Sequence, residues 1–169
     1  MNKFSRAALG ATLLVASGLA AAATNVVIDA KLNSLGGGTG LDTGVFLTAG
    51  ESFSVAAVST DRWNNSGVDP TYETNANGHA FQSGSLGGLY DAFGALVGQV
   101  GGGPLFNVGT SFTGVAATSG ELEFFFFDSD AWNNTGAVHA AVSVVPEPMN
   151  VALMALALGA FALTRRRQA

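Results

Sequence analysis

Glu121-Leu122-Glu123-Phe124-Phe125-Phe126-Phe127 runs directly into Asp128-Ser129-Asp130-Ala131-Trp132-Asn133-Asn134-Thr135-Gly136, and Ala137–Val145 follows. Two apolar runs separated by a polar, glycine-ended loop form the pattern of two strands meeting at one end of a sheet. Period-two alternation puts Leu122, Phe124 and Phe126 on one face of the first run, with Glu121, Glu123 and Phe125 opposite. In the second run Val138, Ala140, Val142 and Val144 share a face, and His139 and Ser143 occupy the other, as in a strand half-exposed to water.

Outward from this pair, short β-prone runs recur at Asn25–Leu32, Gly44–Thr48, Ser52–Val58, Ala95–Val100 and Leu105–Val108. Glycine clusters such as Gly36-Gly37-Gly38 and Gly101-Gly102-Gly103 punctuate them. No segment between the two ends keeps helical periodicity for three turns. Tyr90–Val97 alone is ambiguous, since it can begin as a helical turn before a strand. The expectation is an all-β fold: one β-sandwich of jelly-roll type over residues 24–145.

The loop after Phe127 has an echo. Asp61-Arg62-Trp63-Asn64-Asn65-Ser66-Gly67 and Asp130-Ala131-Trp132-Asn133-Asn134-Thr135-Gly136 share D-x-W-N-N-[ST]-G and hold both tryptophans of the chain. With Asp128 before it, the second copy offers Asp128, Asp130, Asn133 and Asn134, four side-chain oxygens in seven residues. Calcium takes six to eight oxygens from carboxylates, amides and backbone carbonyls, so such a loop supplies much of its shell. The other reading stays open, because Asn, Asp, Ser and Gly also dominate tight turns. Trp63 and Trp132 either stack on a sugar face or anchor their loops.

Composition narrows the chemistry. The chain has no cysteine, which excludes disulfides and thiolate–metal sites, and His79 and His139 are its two imidazoles. All twelve carboxylates lie between Asp29 and Glu147, where Lys31 and Arg62 are the basic residues, so that stretch carries a formal charge of −10. Such a surface repels phosphates and excludes nucleic acid as a partner. No G-x-S-x-G elbow, H-E-x-x-H helix or phosphate loop is present. Glu121 and Glu123 share a strand face, but a glycosidase pair needs a cleft between its carboxylates. The expectation is a protein that is not an enzyme.

The ends read as sorting signals. Residues 1–23 combine Lys3 and Arg6, an apolar Ala7–Leu19 and the small residues Ala21-Ala22-Ala23, the pattern of a signal peptide cut by signal peptidase. Residues 146–169 hold Pro146-Glu147-Pro148, an apolar run Met149–Leu163, and Arg165-Arg166-Arg167. At about 1.5 Å per residue that run makes a short transmembrane helix. This arrangement resembles the PEP-CTERM sorting signal. The resemblance implies processing by an exosortase-type protease, transient membrane anchoring through the tail, and delivery to the cell surface or extracellular matrix.

A second resemblance covers most of residues 44–145. Leu89-Tyr90-Asp91-Ala92-Phe93-Gly94-Ala95-Leu96-Val97 followed by Gln99-Val100-Gly101 resembles the central segment of the PA-I-type calcium-dependent galactose-binding lectins. Gly50–Ala57 and the strand–Asp–loop–N-N-[ST]-G–strand ending fit the same family. The resemblance implies a galactose-binding-like fold with calcium held by Asp128, Asn133 and Asn134, and by a backbone carbonyl from Asp61–Asn64, near Trp63. It also implies sugar contacts from His79, Gln82, Asp128 and Asn133. Gln82 lies nine residues before Asp91, further than in the family, and the loop between Asp128 and Asn133 is about two residues shorter. The function expected is calcium-dependent binding of an extracellular polysaccharide or galactose-like sugar. The alternative is a structural matrix or envelope component with no specific ligand.

Overall fold

The computed structural model describes residues 22–145, and they form an all-β structure. One sheet is centred on β12 (Thr135–Val145), the longest strand. It pairs antiparallel with β1 (Thr24–Asp29) and with β3 (Ser52–Ala57), and β10 (Ser111–Val115) adds beyond β3. Two short strands, β4 (Trp63–Asn64) and β5 (Glu73–Thr74), extend the start of β12. The other sheet has the order β2 (Leu41–Leu47), β11 (Gly120–Phe126), β8 (Leu96–Val100) and β9 (Phe106–Asn107). A separate hairpin joins β6 (Ser83–Leu86) to β7 (Leu89–Ala92).

Alternation builds the core as expected. Leu122, Phe124 and Phe126 of β11 are fully buried, and they share a cluster with Val138, Ala140 and Val142 of β12. Ile28, Leu47, Phe53, Val55 and Trp63 complete much of it. The Phe124–Phe127 run has a second cause. Phe127 is also fully buried, in a smaller cluster with Ala95 and Val97 packed by Leu86, Leu89, Phe93 and Phe125. The β6–β7 hairpin supplies Leu86 and Leu89, so apolar cover lies on both faces of the strand end, and the alternation gives way to an unbroken apolar run.

Several boundaries shift for local reasons. The first strand stops at Asp29 rather than Leu32, because the Asp29 carboxylate accepts from the Lys31 and Leu32 amides, each at 2.8 Å, and turns the chain. Tyr90–Val97 contains no helical turn: β7 ends at Ala92, Gly94 adopts φ +80°, and β8 begins at Leu96. Strand β10 carries no clear sequence signal, because Ser111-Phe112-Thr113-Gly114-Val115 alternates only between exposed and half-exposed positions. Strands β4 and β5 are two residues each and lie in segments rich in turn-forming residues. The β6–β7 hairpin has few apolar residues and a Gly87-Gly88 turn.

Candidate functional site: the loop from Asp128 to Asn134

Strand β11 delivers its last residues into a fixed frame. The Phe127 amide donates to the Ala95 carbonyl and the Gly94 amide donates to the Phe127 carbonyl, both at 2.9 Å. Beyond Phe127, the loop is tied by its backbone to the segment after β1. The Asp128 carbonyl accepts from the Gly36 amide at 2.8 Å, and the Asp130 carbonyl accepts from Ser34 Oγ at 2.6 Å. A Cβ on Gly36 would overlap the Ser129 backbone carbonyl, so glycine permits this approach.

These bonds occupy the backbone and leave the side-chain oxygens over. Asn134 Nδ2 donates to the carbonyls of Asp130 at 2.9 Å and Ala30 at 3.3 Å, which fixes the amide with Oδ1 at its other end. Asp128 Oδ1 accepts from the Ser129 amide at 2.8 Å. Asp128 Oδ2, Asp130 Oδ1, Asn133 Oδ1 and Asn134 Oδ1 are buried and have no hydrogen-bond partner. A buried acceptor without a donor costs about 1–3 kcal/mol, and native structures hold few of them. Here four fall within seven residues.

Electrostatics agree. Burial pushes the Asp128 carboxyl up to about 6; the Ser129 amide bond and the nearby Asn134 side chain oppose the rise, and the neighbouring Asp130 charge adds a smaller part to it. Among the described residues the pair has no ion-pair partner, and two carboxylates with two amide oxygens could hold a hard cation. Among the described residues no three His, Cys, Asp or Glu side chains cluster as a metal site, so the set here rests on two carboxylates and two amide oxygens.

The two copies of the repeat meet, but they use their residues differently. Thr135 and Gly136 pair with Asn64 and Trp63, and the Gly67 amide donates to the Asn133 carbonyl at 2.7 Å. Asn64, unlike Asn133, serves a turn: its Oδ1 accepts from the Ser66 amide and its Nδ2 donates to the Asp69 carbonyl, both at 2.6 Å. Trp63 is buried, its ring edge-on to Phe126 at 4.6 Å, and its Nε1 donates to the Gly94 carbonyl at 2.7 Å. Its ring is therefore a loop anchor and not a sugar platform. Its backbone stands in β4 opposite Gly136, beside the start of the second copy's strand. Trp132 is the reverse case, with 76% of its surface exposed.

His79 and Gln82 come together, through a residue that sequence reasoning had not singled out. Asn65 Oδ1 lies 3.1 Å from His79 Nε2, and Asn65 Nδ2 donates to Gln82 Oε1 at 3.4 Å. His79 is buried, which lowers its pKa and so favours the neutral ring, partly opposed by the Tyr72 backbone. It packs on Phe81 at 4.9 Å and edge-on to Tyr72 at 6.2 Å. Its ring borders Gly94, whose amide holds the Phe127 carbonyl, so the group stands one step behind Asp128. Ser34 and Gly36 were missed as well; the Gly36-Gly37-Gly38 cluster was the available signal. Pro146, Glu147, Pro148, Arg165, Arg166 and Arg167 lie outside the described residues, as do the signal peptide and the tail helix.

No family model matches the sequence, and no curated protein matches it. Eight solved chains match the fold. One is described as "EclA N-terminal domain; PllA-like lectin", with a TM-score of 0.56 and 24% identity, covering 75% of this chain and 98% of that one. The body of the chain thus has the β-sandwich fold of a PllA-like lectin domain.

Proposed function

We propose that this chain is an exported surface or matrix protein whose sandwich domain binds carbohydrate through a calcium ion. The observation that carries the reading is the set of four buried, donorless oxygens on Asp128, Asp130, Asn133 and Asn134. These residues would hold the ion, with backbone carbonyls and sugar hydroxyls available for the rest of a six- to eight-oxygen shell. Calcium would supply a positive charge to an acidic surface and coordination positions that favour a vicinal pair of hydroxyls, as in a galactose-like sugar. The lectin fold supports this reading, and so does the order of sequence motifs. His79 and Gln82, joined through Asn65, are the sugar contacts of this reading, with Asp128 and Asn133. Export by the signal peptide and sorting by an exosortase-type protease place the domain where extracellular polysaccharide is the partner.

A second reading has its own support. The Asp128 and Asp130 carbonyls are bonded to the segment after β1, and Asn133 is bonded to the first repeat, so an ion here would knit three segments together without any sugar. That describes a structural matrix component. Thermal melts separate the possibilities. Calcium at about 100 times its Kd stabilises the fold by roughly 2.7 kcal/mol, several degrees for a domain of this size. The expected result is a calcium-dependent rise in Tm that EDTA reverses and Asp128→Asn loses, with retention on a galactose resin that EDTA abolishes. A calcium shift without retention supports the structural role, and no shift in either protein overturns both readings.

A further inference from the structure

Resting on the sugar-binding reading above, we propose that the open groove beside the acidic loop is a second saccharide subsite, one that takes the next unit of a bound glycan and favours a uronic acid there. The groove is a shallow, solvent-open depression of about 580 Å³ lined by Lys31, Leu32, Gly37, Gly38, Thr39, Ala131 and Trp132. That volume is in the range of small-molecule sites.

The loop that carries the cation cradle also lines this groove, through Ala131 and Trp132, and that names the occupant. Trp132 sits in sequence between Asp130 and Asn133, two of the residues with donorless oxygens. The opposite lining is bonded to the same loop through Gly36 and Ser34. The Thr39 amide donates to the Leu32 carbonyl at 2.8 Å, which closes that lining on itself. A glycan anchored at the acidic loop and extending past Trp132 enters this groove.

Two features define the chemistry. The exposed indole of Trp132 and the side chain of Leu32, 67% exposed, suit the C–H face of a pyranose, and glycines at 37 and 38 leave room for a ring close to the backbone. The contrast with Trp63 is informative: the same motif buries one ring, with its N–H bonded, and leaves the other beside a groove. Lys31 is the one lysine of the −10 stretch, and among the described residues its ammonium has no ion-pair partner. The nearby Asp29 carboxylate is engaged by the Lys31 and Leu32 backbone amides. On an otherwise acidic surface, this is where an anionic sugar is accommodated.

Calorimetry on the full-length chain in millimolar calcium tests the subsite with three probes: galactose, lactose, and the lactose analogue whose glucose C6 is oxidised to a carboxylate. Stacking on Trp132 makes lactose bind about three- to tenfold tighter than galactose. The Lys31 charge adds about two- to fivefold for the oxidised analogue. Trp132→Ala returns both disaccharides to the affinity of galactose. Lys31→Met removes only the preference for the acid, and galactose itself binds both variants as it binds the parent chain. Disaccharides no tighter than galactose, or a gap that survives Trp132→Ala, overturn the subsite and leave the primary site standing. Absence of galactose binding by the parent chain removes the sugar-binding reading and the subsite with it.

Discussion

The Gly67 amide donates to the Asn133 carbonyl at 2.7 Å, and Thr135 Oγ1 returns a bond to the Gly67 carbonyl at 2.8 Å. The two copies of D-x-W-N-N-[ST]-G are joined by this exchange, beside the four donorless oxygens. Thr135→Val keeps the shape and removes the hydroxyl. It should cost about 1 kcal/mol in urea unfolding and weaken calcium binding, since Asn133 loses part of its support. Unchanged calcium affinity would mean that the first copy does not position the second.

The pH response of the metal-free protein follows from Asp128. Its folded pKa, about 6, stands above the ordinary 3.8, so its contribution to stability is fully present below about pH 4 and is lost as pH rises through 6. Discounted for solvent screening at this partly exposed loop, that rise corresponds to about 1–2 kcal/mol. In EDTA, Tm should fall between about pH 4 and 7, and Asp128→Asn should flatten the profile. Calcium should reverse the slope, because the cation favours the ionised carboxylate. A parent profile in EDTA that matches the variant's would show that Asp128 is not desolvated.

Trp63→Phe removes the indole N–H that the Gly94 carbonyl accepts from at 2.7 Å. It leaves that carbonyl short of a donor in a buried setting and shrinks the core beside Phe126. A loss of about 2–3 kcal/mol in chemical unfolding is expected. Glycan stacking at this ring is excluded by its burial, so sugar affinity measured on the folded variant should change little.

Gly36→Ala would drive a methyl group into the Ser129 backbone carbonyl. The loop after Phe127 must then shift, and the Gly36–Asp128 backbone bond breaks with it. Calcium affinity, read by titration, should fall more than tenfold while the far-UV spectrum keeps its β character. Normal affinity would show that the segment after β1 is not part of the cradle.

Phe127→Ala empties the smaller core under the β6–β7 hairpin. A buried phenylalanine truncation costs about 3–5 kcal/mol. Hydrogen exchange should rise first in residues 83–92, ahead of the main sheets. Uniform loss of protection would mean that the two clusters unfold as one.

Much of this was legible in the chain. The pattern of β11 and β12 follows from alternation, because a strand buried on one face must place apolar side chains at every second position. The oxygen-rich loop was legible too, since Asp128, Asp130, Asn133 and Asn134 are close in sequence and their chemistry is local. Composition also limited what kind of metal a site could take, because a chain without cysteine offers oxygens and two imidazoles. Other features depend on contacts between residues far apart in the chain. Whether the Asn133 and Asn134 oxygens close turns or stand free depends on what Ala30, Ser34, Gly36 and Gly67 donate or accept, and the sequence pattern is the same in both cases. Asn64 and Asn133 hold equivalent places in one motif, yet only the second keeps its oxygen without a donor. The motif also cannot distinguish Trp63 from Trp132. One faces Phe126 and the other faces water because the first copy is pinned between two strands and the second loop lies open beside the segment after β1. Burial is a property of neighbours, so only the folded chain could decide which tryptophan serves the core and which is free to meet a ligand.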